Sequence, residues 1–308
     1  MICRYDQLRR HPTVLLKMTG LRIHEFEQLV SDMLPRMVAA DRVRLQRADR
    51  RRAVGAGRHA DLARTNQLLL SIIWLRQYPT NEVLGYLFGV SDSTVSRILA
   101  RCIPLLEADG RDTMRMPDPG RKRRKALDEL LTATPELAVI IDTFEQRVQR
   151  SKDRTAADAH YSGKKKQHTL KSQVAVNEET GEICDIADSV PGPTADLTVL
   201  KESGLLERLP AGVGGIGDLA YLGIAAAHPQ QLGATPRRKP RGKDRPPEDV
   251  CFNRAFARRR ITVEHTIGRI RRYASVSEMD RHHRQQHSAR TRAVAGLVNR
   301  QIRSRLPC

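Results

Sequence analysis

Three acidic residues stand where this sequence changes character. Asp142 follows the apolar run Val139, Ile140, Ile141; Asp218 closes the glycine-rich stretch AGVGGIGD; Glu264 sits inside ARRRITVEHTIGRIRRY, a stretch crowded with arginine. Three carboxylates from separate elements suit a hard divalent cation such as Mg²⁺ or Mn²⁺. Two such ions would activate a water or a 3′-hydroxyl and steady the departing oxygen during in-line attack on phosphorus. Without metal, clustered carboxylates repel one another and raise each other's pKa. Each acid taken alone also has an ordinary structural role. Asp142 serves as a strand-end turn residue, Asp218 as a loop cap, and Glu264 as a salt-bridge partner of Arg260 or Arg271.

The elements that must carry these acids follow from periodicity. LAVIIDTFEQRVQR reads as a strand with Asp142 set beyond its apolar run. HTLKSQVAVNEETGEICDIADSV supplies two more strands around a turn at Glu179, Thr180 and Gly181, and AGVGGIGD is a close-packed strand ending at Asp218. TADLTVLKESGLLERLP reads as helix with Thr194 as its cap, and the opening motif and RTRAVAGLVNRQI lie in two further helices. Together these give an α/β sheet domain. With the strands of Asp142 and Asp218 as central neighbours, both acids face one sheet edge, and a helix across that edge delivers Glu264. On that helix Val263, Ile267 and Ile270 share a face, Ile261 joins them at one side, and Glu264 lies on the margin of the stripe. Gly268 clears the surface beside Glu264 at about 1 kcal/mol of helix stability, which makes sense where a ligand must approach. Arg258, Arg259, Arg260, Arg269, Arg271 and Arg272 flank the acid.

The first third has a different grammar. LRIHEFEQLVSDMLPRM is an amphipathic helix, followed by a basic, glycine-containing loop whose Arg50 to Arg52 read equally as phosphate contacts or solvated loop. Next comes TNQLLLSIIWLRQYPTNEVLGYLFGVSDSTVSRILARCIPLL. A first helix near Asn66 to Arg76 ends at Pro79, and Thr80 caps a short second helix. Gly89 makes the tight turn, and Ser91 caps a third helix with Val95, Ile98 and Leu99 inward and Ser93, Thr94 and Arg97 outward. That is a helix-turn-helix, and its third helix is the one presented to a major groove. A small helical hairpin in an all-α core is the plainer alternative. Pro117, Pro119, Gly120 and the basic block Arg121 to Lys125 then break the pattern. We divide the chain into a helical DNA-binding domain at 1–115 with the helix-turn-helix near 66–101, a basic linker at 116–135, and a catalytic domain at 136–308.

Composition narrows the partners. The 308-residue chain carries a formal net charge of +19, which suits a phosphate-covered polymer. An anionic membrane or ribosomal RNA fits that charge less well. Aromatic residues are 4% of the chain, too few for a platform that stacks single-stranded bases. Five scattered cysteines with no CxxC pair indicate neither a disulfide framework nor a zinc knuckle. No signal peptide or membrane-length apolar run stands in the sequence, so the expected location is the cytoplasm, associated with the nucleoid.

The blocks LLLSIIWLRQYPTNEVLGYLFGVSDSTVSRIL, VIIDTFEQRVQR, YSGKKKQHTLKSQ, GDLAYLG and FNRAFARRRITVEHTIGRIRRY occur in one order. In that order they resemble a DDE-superfamily insertion-sequence transposase with an N-terminal helix-turn-helix, over essentially the whole chain. The resemblance implies an RNase H-like body and metal-dependent cleavage and joining of DNA at the element's ends. Asp142, Asp218 and Glu264 would be its catalytic ligands for Mg²⁺ or Mn²⁺, two ions in all. It makes Asp196 a supporting acid beside those ligands and Arg260 and Arg271 phosphate contacts. Lys164, Lys165 and Lys166, by themselves an ordinary solvated turn, would beside such a centre hold DNA from a loop close to the site. The implied partners are double-stranded DNA, as terminal inverted repeats and target, and further copies of the chain in a DNA-bound homo-oligomer. The sequence departs from the family pattern at Leu219, Phe144, Arg271 and Ala257, and none of these removes a ligand. A transposase-derived DNA-binding protein without catalysis is the rival, and an RNA- or ribosome-associated protein a third reading. His168 and His265 are poor metal ligands beside sufficient carboxylates, and His282, His283 and His287 read as basic surface.

Overall fold

The computed structural model describes residues 3–46, 60–120 and 126–306. The expectations for Arg50 to Arg52 and for the basic block Arg121 to Lys125 lie outside the described residues. The front of the chain is all helical: α1 (Tyr5–Leu8), α2 (Pro12–Thr19), α3 (Ile23–Leu45), α4 (Arg64–Gln77), α5 (Asn81–Phe88) and α6 (Asp92–Thr113). The helix-turn-helix forms as its sequence directs. The Thr80 hydroxyl accepts from the Val83 N–H at the start of α5, and the Ser91 hydroxyl accepts from the Thr94 N–H at the start of α6. Gly89 takes φ +64°, a left-handed turn that a side chain would strain. The third helix runs well past its expected end, through Pro104 to Thr113.

That extension has a partner. The last helix, α12 (His287–Arg303), crosses α6 where Gly110 meets Gly296. A Cβ on Gly296 would stand 2.4 Å from the Gly110 Cα, so the two backbones touch without side chains between them. Asn299 of α12 donates to the Thr113 carbonyl and also bonds the Ile183 backbone, tying α6 to the sheet. One apolar cluster accordingly runs from Phe26, Trp74 and Ile98 through Val294 and Val298 to Ile140 and Val263.

The sheet is built from β1 (Leu137–Arg147), β2 (Tyr161–Ser162), β3 (Gln167–Asn177), β4 (Ile183–Ile186), β5 (Val190–Pro191), β6 (Val213–Ile216) and β7 (Gly233–Ala234). Its order is β2-β3-β1-β6-β7, with β4 and β5 also paired to β3. β1 lies antiparallel to β3 and parallel to β6, and β6 is parallel to β7. This mixed sheet with helices on both faces is the RNase H-like α/β arrangement, set behind an all-α front. Helices α7 (Arg154–Asp158), α8 (Asp196–Glu202), α9 (Leu205–Arg208), α10 (Ile224–Ala227) and α11 (Pro247–Ile270) complete it.

Strand β1 shows why a central strand reads as an unbroken apolar run. Ile140 and Phe144 join the cluster shared with α11 and α12, while Val139 and Ile141 join a second cluster with Leu200, Leu206 and Tyr221. Alternate residues are buried on opposite faces, so polar alternation has nowhere to appear. Thr194 does not cap α8. Its carbonyl accepts from Lys171, and Ala195 holds the cap position with no side-chain bond. Among the described residues no helix is long and apolar enough to cross a membrane.

Candidate active site

Register brings the two aspartates side by side. The parallel pairing of β1 with β6 ends at Ile140 opposite Ile216, and two residues further along each chain stand Asp142 and Asp218. Neighbouring strands lie about 4.8 Å apart. Asp218 lies two residues past the end of β6, where its carboxylate accepts from the Ala220 N–H at 2.9 Å and starts a short 3₁₀ turn. Asp142 does not end its strand. Antiparallel pairing to β3 continues to Arg147, with Asp142 opposite Val174, so this acid sits inside β1 rather than beyond it. The strand read over LAVIIDTFEQRVQR therefore holds through Arg147, and the strand-end role for Asp142 does not.

Asp142 shares the parity of Ile140 and Phe144, which face α11. From α11, Arg260 Nη2 reaches Asp142 Oδ2 at 3.7 Å. Burial pushes the Asp142 carboxyl above the usual carboxylate range; the Thr143 N–H and Arg260 oppose the rise, and Asp218 and Asp196 add to it. Asp196, at the first turn of α8, has its Oδ1 occupied by Lys171 Nζ at 2.6 Å and the Thr143 hydroxyl at 3.1 Å. It stands within electrostatic reach of Asp142, held by neighbours on the Thr143 side of the strand. Tyr221 is fully buried with no hydrogen-bond partner for its hydroxyl among the described residues. Burial, reinforced by Asp196, Asp142 and Asp218, pushes that phenol well up. Thr143, Lys171 and Tyr221 escaped sequence reasoning. A charged Lys171 inside an otherwise buried strand was the one available signal.

Glu264 is exposed on α11, one turn beyond Arg260, and its side chain makes no hydrogen bond or ion pair among the described residues. The salt-bridge role therefore fails as an account of it, because Arg260 is turned to Asp142. Val263, Ile267 and Ile270 are buried as their spacing demands, whereas Ile261 is 48% exposed. Two residues from Val263 is roughly 200° around a helix, which carries Ile261 off the stripe. Gly268 has nothing within 4 Å of the place a Cβ would occupy. The expectation that Arg259 flanks the acid as surface charge is corrected: it is buried, and grips Glu178 through two bonds of 2.8 and 2.6 Å. Arg271 caps α11 and is exposed.

Ser93 and Arg97 are exposed on α6, with Arg97 donating to the Ser93 hydroxyl at 3.3 Å, and Thr94 is half-buried. Lys164, Lys165 and Lys166 are exposed in the hairpin between β2 and β3. They are not close to the aspartates. Val174 is the residue opposite Asp142, so Lys166 lies eight residues, about 26 Å, along β3. His287 is no surface residue either; it is fully buried between Ser189 at 2.7 Å and Gln146 at 2.7 Å, and burial pushes its pKa down to about 4.

Residues 141–299 match the family of DDE superfamily endonucleases, over more than half of the chain. The chain belongs to that family. Residues 61–112 match the helix-turn-helix that accompanies it, over the segment seen as α4 to α6. A relative from Microchaete diplosiphon, named as a probable transposase for insertion sequence element IS702, is 28% identical over 290 residues, covering 92% of this chain and 99% of its own. No solved structure matches the chain. Family membership makes the chain a DDE-superfamily transposase with an N-terminal helix-turn-helix, in an enzymatic family that depends on metal. Among the described residues, no three histidine, cysteine, aspartate or glutamate side chains converge closely enough to hold an ion. The donor set nevertheless fits a hard cation. Asp142 and Asp218 repel each other, Arg260 stands no closer than 3.7 Å to Asp142, and an orphaned phenol is buried beside them.

Proposed function

We propose that this chain cleaves and joins DNA at the ends of an insertion sequence by metal-dependent phosphoryl transfer. Asp142, Asp218 and Glu264 hold the ions, Mg²⁺ or Mn²⁺ and two in number. The observation that carries this reading is the register of β1 and β6, which brings Asp142 level with Asp218 beneath the helix that bears Glu264. When bound, the metal supplies an activated oxygen nucleophile and charge stabilisation on phosphorus. The chain's own residues do the rest. Thr143 and Arg260 orient Asp142 from two sides, and Lys171 keeps Asp196 fixed beside it. Glu264 swings to the aspartates from an exposed, unpaired position, and Gly268 leaves room for a strand of DNA. Arg260 and Arg271 would contact DNA phosphate.

Residues 1–115 read the element's end through Ser93, Thr94 and Arg97, the linker at 116–135 follows, and residues 136–308 carry the chemistry. Lys164, Lys165 and Lys166 hold flanking DNA away from the scissile bond. Two ends must be held together, so the DNA complex is a homo-oligomer, working on nucleoid DNA in the cytoplasm with terminal inverted repeats and target as its substrates. The test replaces Asp142→Asn, Asp218→Asn and Glu264→Gln singly, and measures Mn²⁺ binding by electron paramagnetic resonance alongside cleavage. Each should lose cleavage and weaken Mn²⁺ binding while DNA affinity stays. Full cleavage by any one of them removes that carboxylate from the mechanism.

A second reading, a transposase-derived binder without catalysis, draws on one observation: among the described residues no three acidic, histidine or cysteine side chains are grouped to hold an ion. Wild-type protein that binds its DNA yet neither takes up Mn²⁺ nor cleaves would establish it.

A further inference from the structure

The segment RHHRQQHSAR, left as basic surface by the sequence, forms a structure with a use. Two adjoining concavities of about 540 and 450 Å³ share Arg281, His282 and His283 as their common wall. One opens onto Ser96 and Ala100 of α6, the other onto Gln149 and Arg150 just past the end of β1. Ser93, Ser96, Arg97 and Ala100 follow i, i+3, i+4, i+7 spacing, so the groove begins on the face of α6 that carries Ser93 and Arg97.

The groove's charge is uncompensated. Among its described lining residues the one carboxylate is Asp280, which is 3% exposed and already taken by Arg290 and the Tyr78 hydroxyl. Arg150 and His283 are exposed, and their side chains make no hydrogen bond or ion pair among the described residues. Arg284 meets no carboxylate among the described residues, only the Gln149 carbonyl and the His160 ring, and Arg281 lies 4.2 Å over the Tyr78 ring. His160 adjoins β2, whose hairpin carries Lys164 to Lys166, so the positive track continues along the sheet.

We propose that this groove grips the sugar–phosphate backbone of duplex DNA between the segment read by α6 and the scissile position. The proposal rests on the DNA-transposing function above and assigns a surface that function leaves open. A duplex is favoured over an unpaired strand because the aromatic rings here are not offered to bases. Trp74 is 2% exposed and packed against Tyr78 and His282. Geometry agrees. From Asp142 to Arg147 is five residues, about 17 Å along β1, or about five base pairs of duplex.

The test uses the full chain, duplex DNA from the gene's own flanks, and a scrambled duplex of equal length. Dissociation constants are measured across salt concentrations for wild type, Arg150→Gln with His283→Gln, and Arg150→Gln with Arg284→Gln. Removing two arginines should flatten the plot of log Kd against log salt by about 2. Affinity at fixed salt should fall about ten- to hundredfold, with the preference for flank over scrambled DNA unchanged. Arg97→Ala should lower that preference instead. Hydroxyl-radical footprints should lose protection between the α6 contact and the cut. Arg150 and His283 are exposed, so their variant keeps its melting temperature and carries the test even where Arg284→Gln unfolds the chain. Unchanged slope and footprint, with wild type binding normally, would overturn this proposal alone. Absence of salt-dependent wild-type binding to any duplex would overturn the underlying function and this with it. Tighter wild-type binding to duplex RNA, lost in the same variants, would overturn it by naming the wrong polymer.

Discussion

Gly296→Ala and Gly268→Ala should move stability in opposite directions, though both place the same methyl on a helix. Leaving glycine in a helix interior costs about 1 kcal/mol relative to alanine, so each change begins with that gain. At Gly268 nothing lies within 4 Å of the new atom, and the gain stands. At Gly296 the methyl would lie 2.4 Å from the Gly110 Cα, where carbon atoms rest at about 3.5–4.0 Å. A backbone atom cannot rotate aside, so α6 and α12 must part by about 1 Å. Overpacking of this kind costs about 3 kcal/mol, leaving a net loss of about 2 kcal/mol. Differential scanning calorimetry on the full chain should show melting lowered by about 4 °C for Gly296→Ala and raised by about 2 °C for Gly268→Ala. Gly268→Ala should also slow DNA cleavage, since the methyl fills the space beside Glu264. A Gly296→Ala protein as stable as wild type would refute the tight crossing.

Arg259→Met removes the guanidinium that holds buried Glu178 and should cost about 3–5 kcal/mol of stability. Its DNA affinity at permissive temperature should not change, the reverse of what a phosphate contact would show. His287 is fully buried with its pKa pushed down to about 4 from an ordinary 6.5. The unfolded chain therefore takes up that proton first, so stability is full above about pH 6.5 and falls by about 3 kcal/mol towards pH 4. Melting temperatures of His287→Gln across the same range should show a shallower slope. Asp142 is shifted the other way, held above its ordinary range by burial and by neighbouring acids. Its ionised form opposes folding as pH rises, so Asp142→Asn should raise the melting temperature of metal-free protein at neutral pH while abolishing cleavage.

Local chemistry was legible where it governs itself. The capping hydroxyls of Thr80 and Ser91 and the left-handed turn at Gly89 announce the helix-turn-helix without help from the rest of the fold. The strands carrying Asp142 and Asp218 were also readable, but not their partners. The sixth residue of β1 stays in the strand because β3 pairs past it, and pairing over long sequence distance leaves no local trace. Arginine was the least legible type. In one helix Arg258 is exposed, Arg259 is buried against Glu178, and Arg260 is turned to Asp142. Neighbouring helix positions differ by about 100° in direction, and which direction meets the body is settled by tertiary packing alone. The hairpin lysines misled for a related reason, since nearness along the chain to β3 is not nearness to the middle of it.

On the proposed function, the bare-backbone crossing of α6 and α12 bears on where DNA would be cut. On that function α6, which presents Ser93 and Arg97 at one end, is also the helix whose Gly110 meets the Gly296 backbone of α12 at the other. Reader and cutter would then act as the two jaws of a fixed calliper. The interval from recognised bases to broken bond would be set by the protein's own dimensions, the same at each element end.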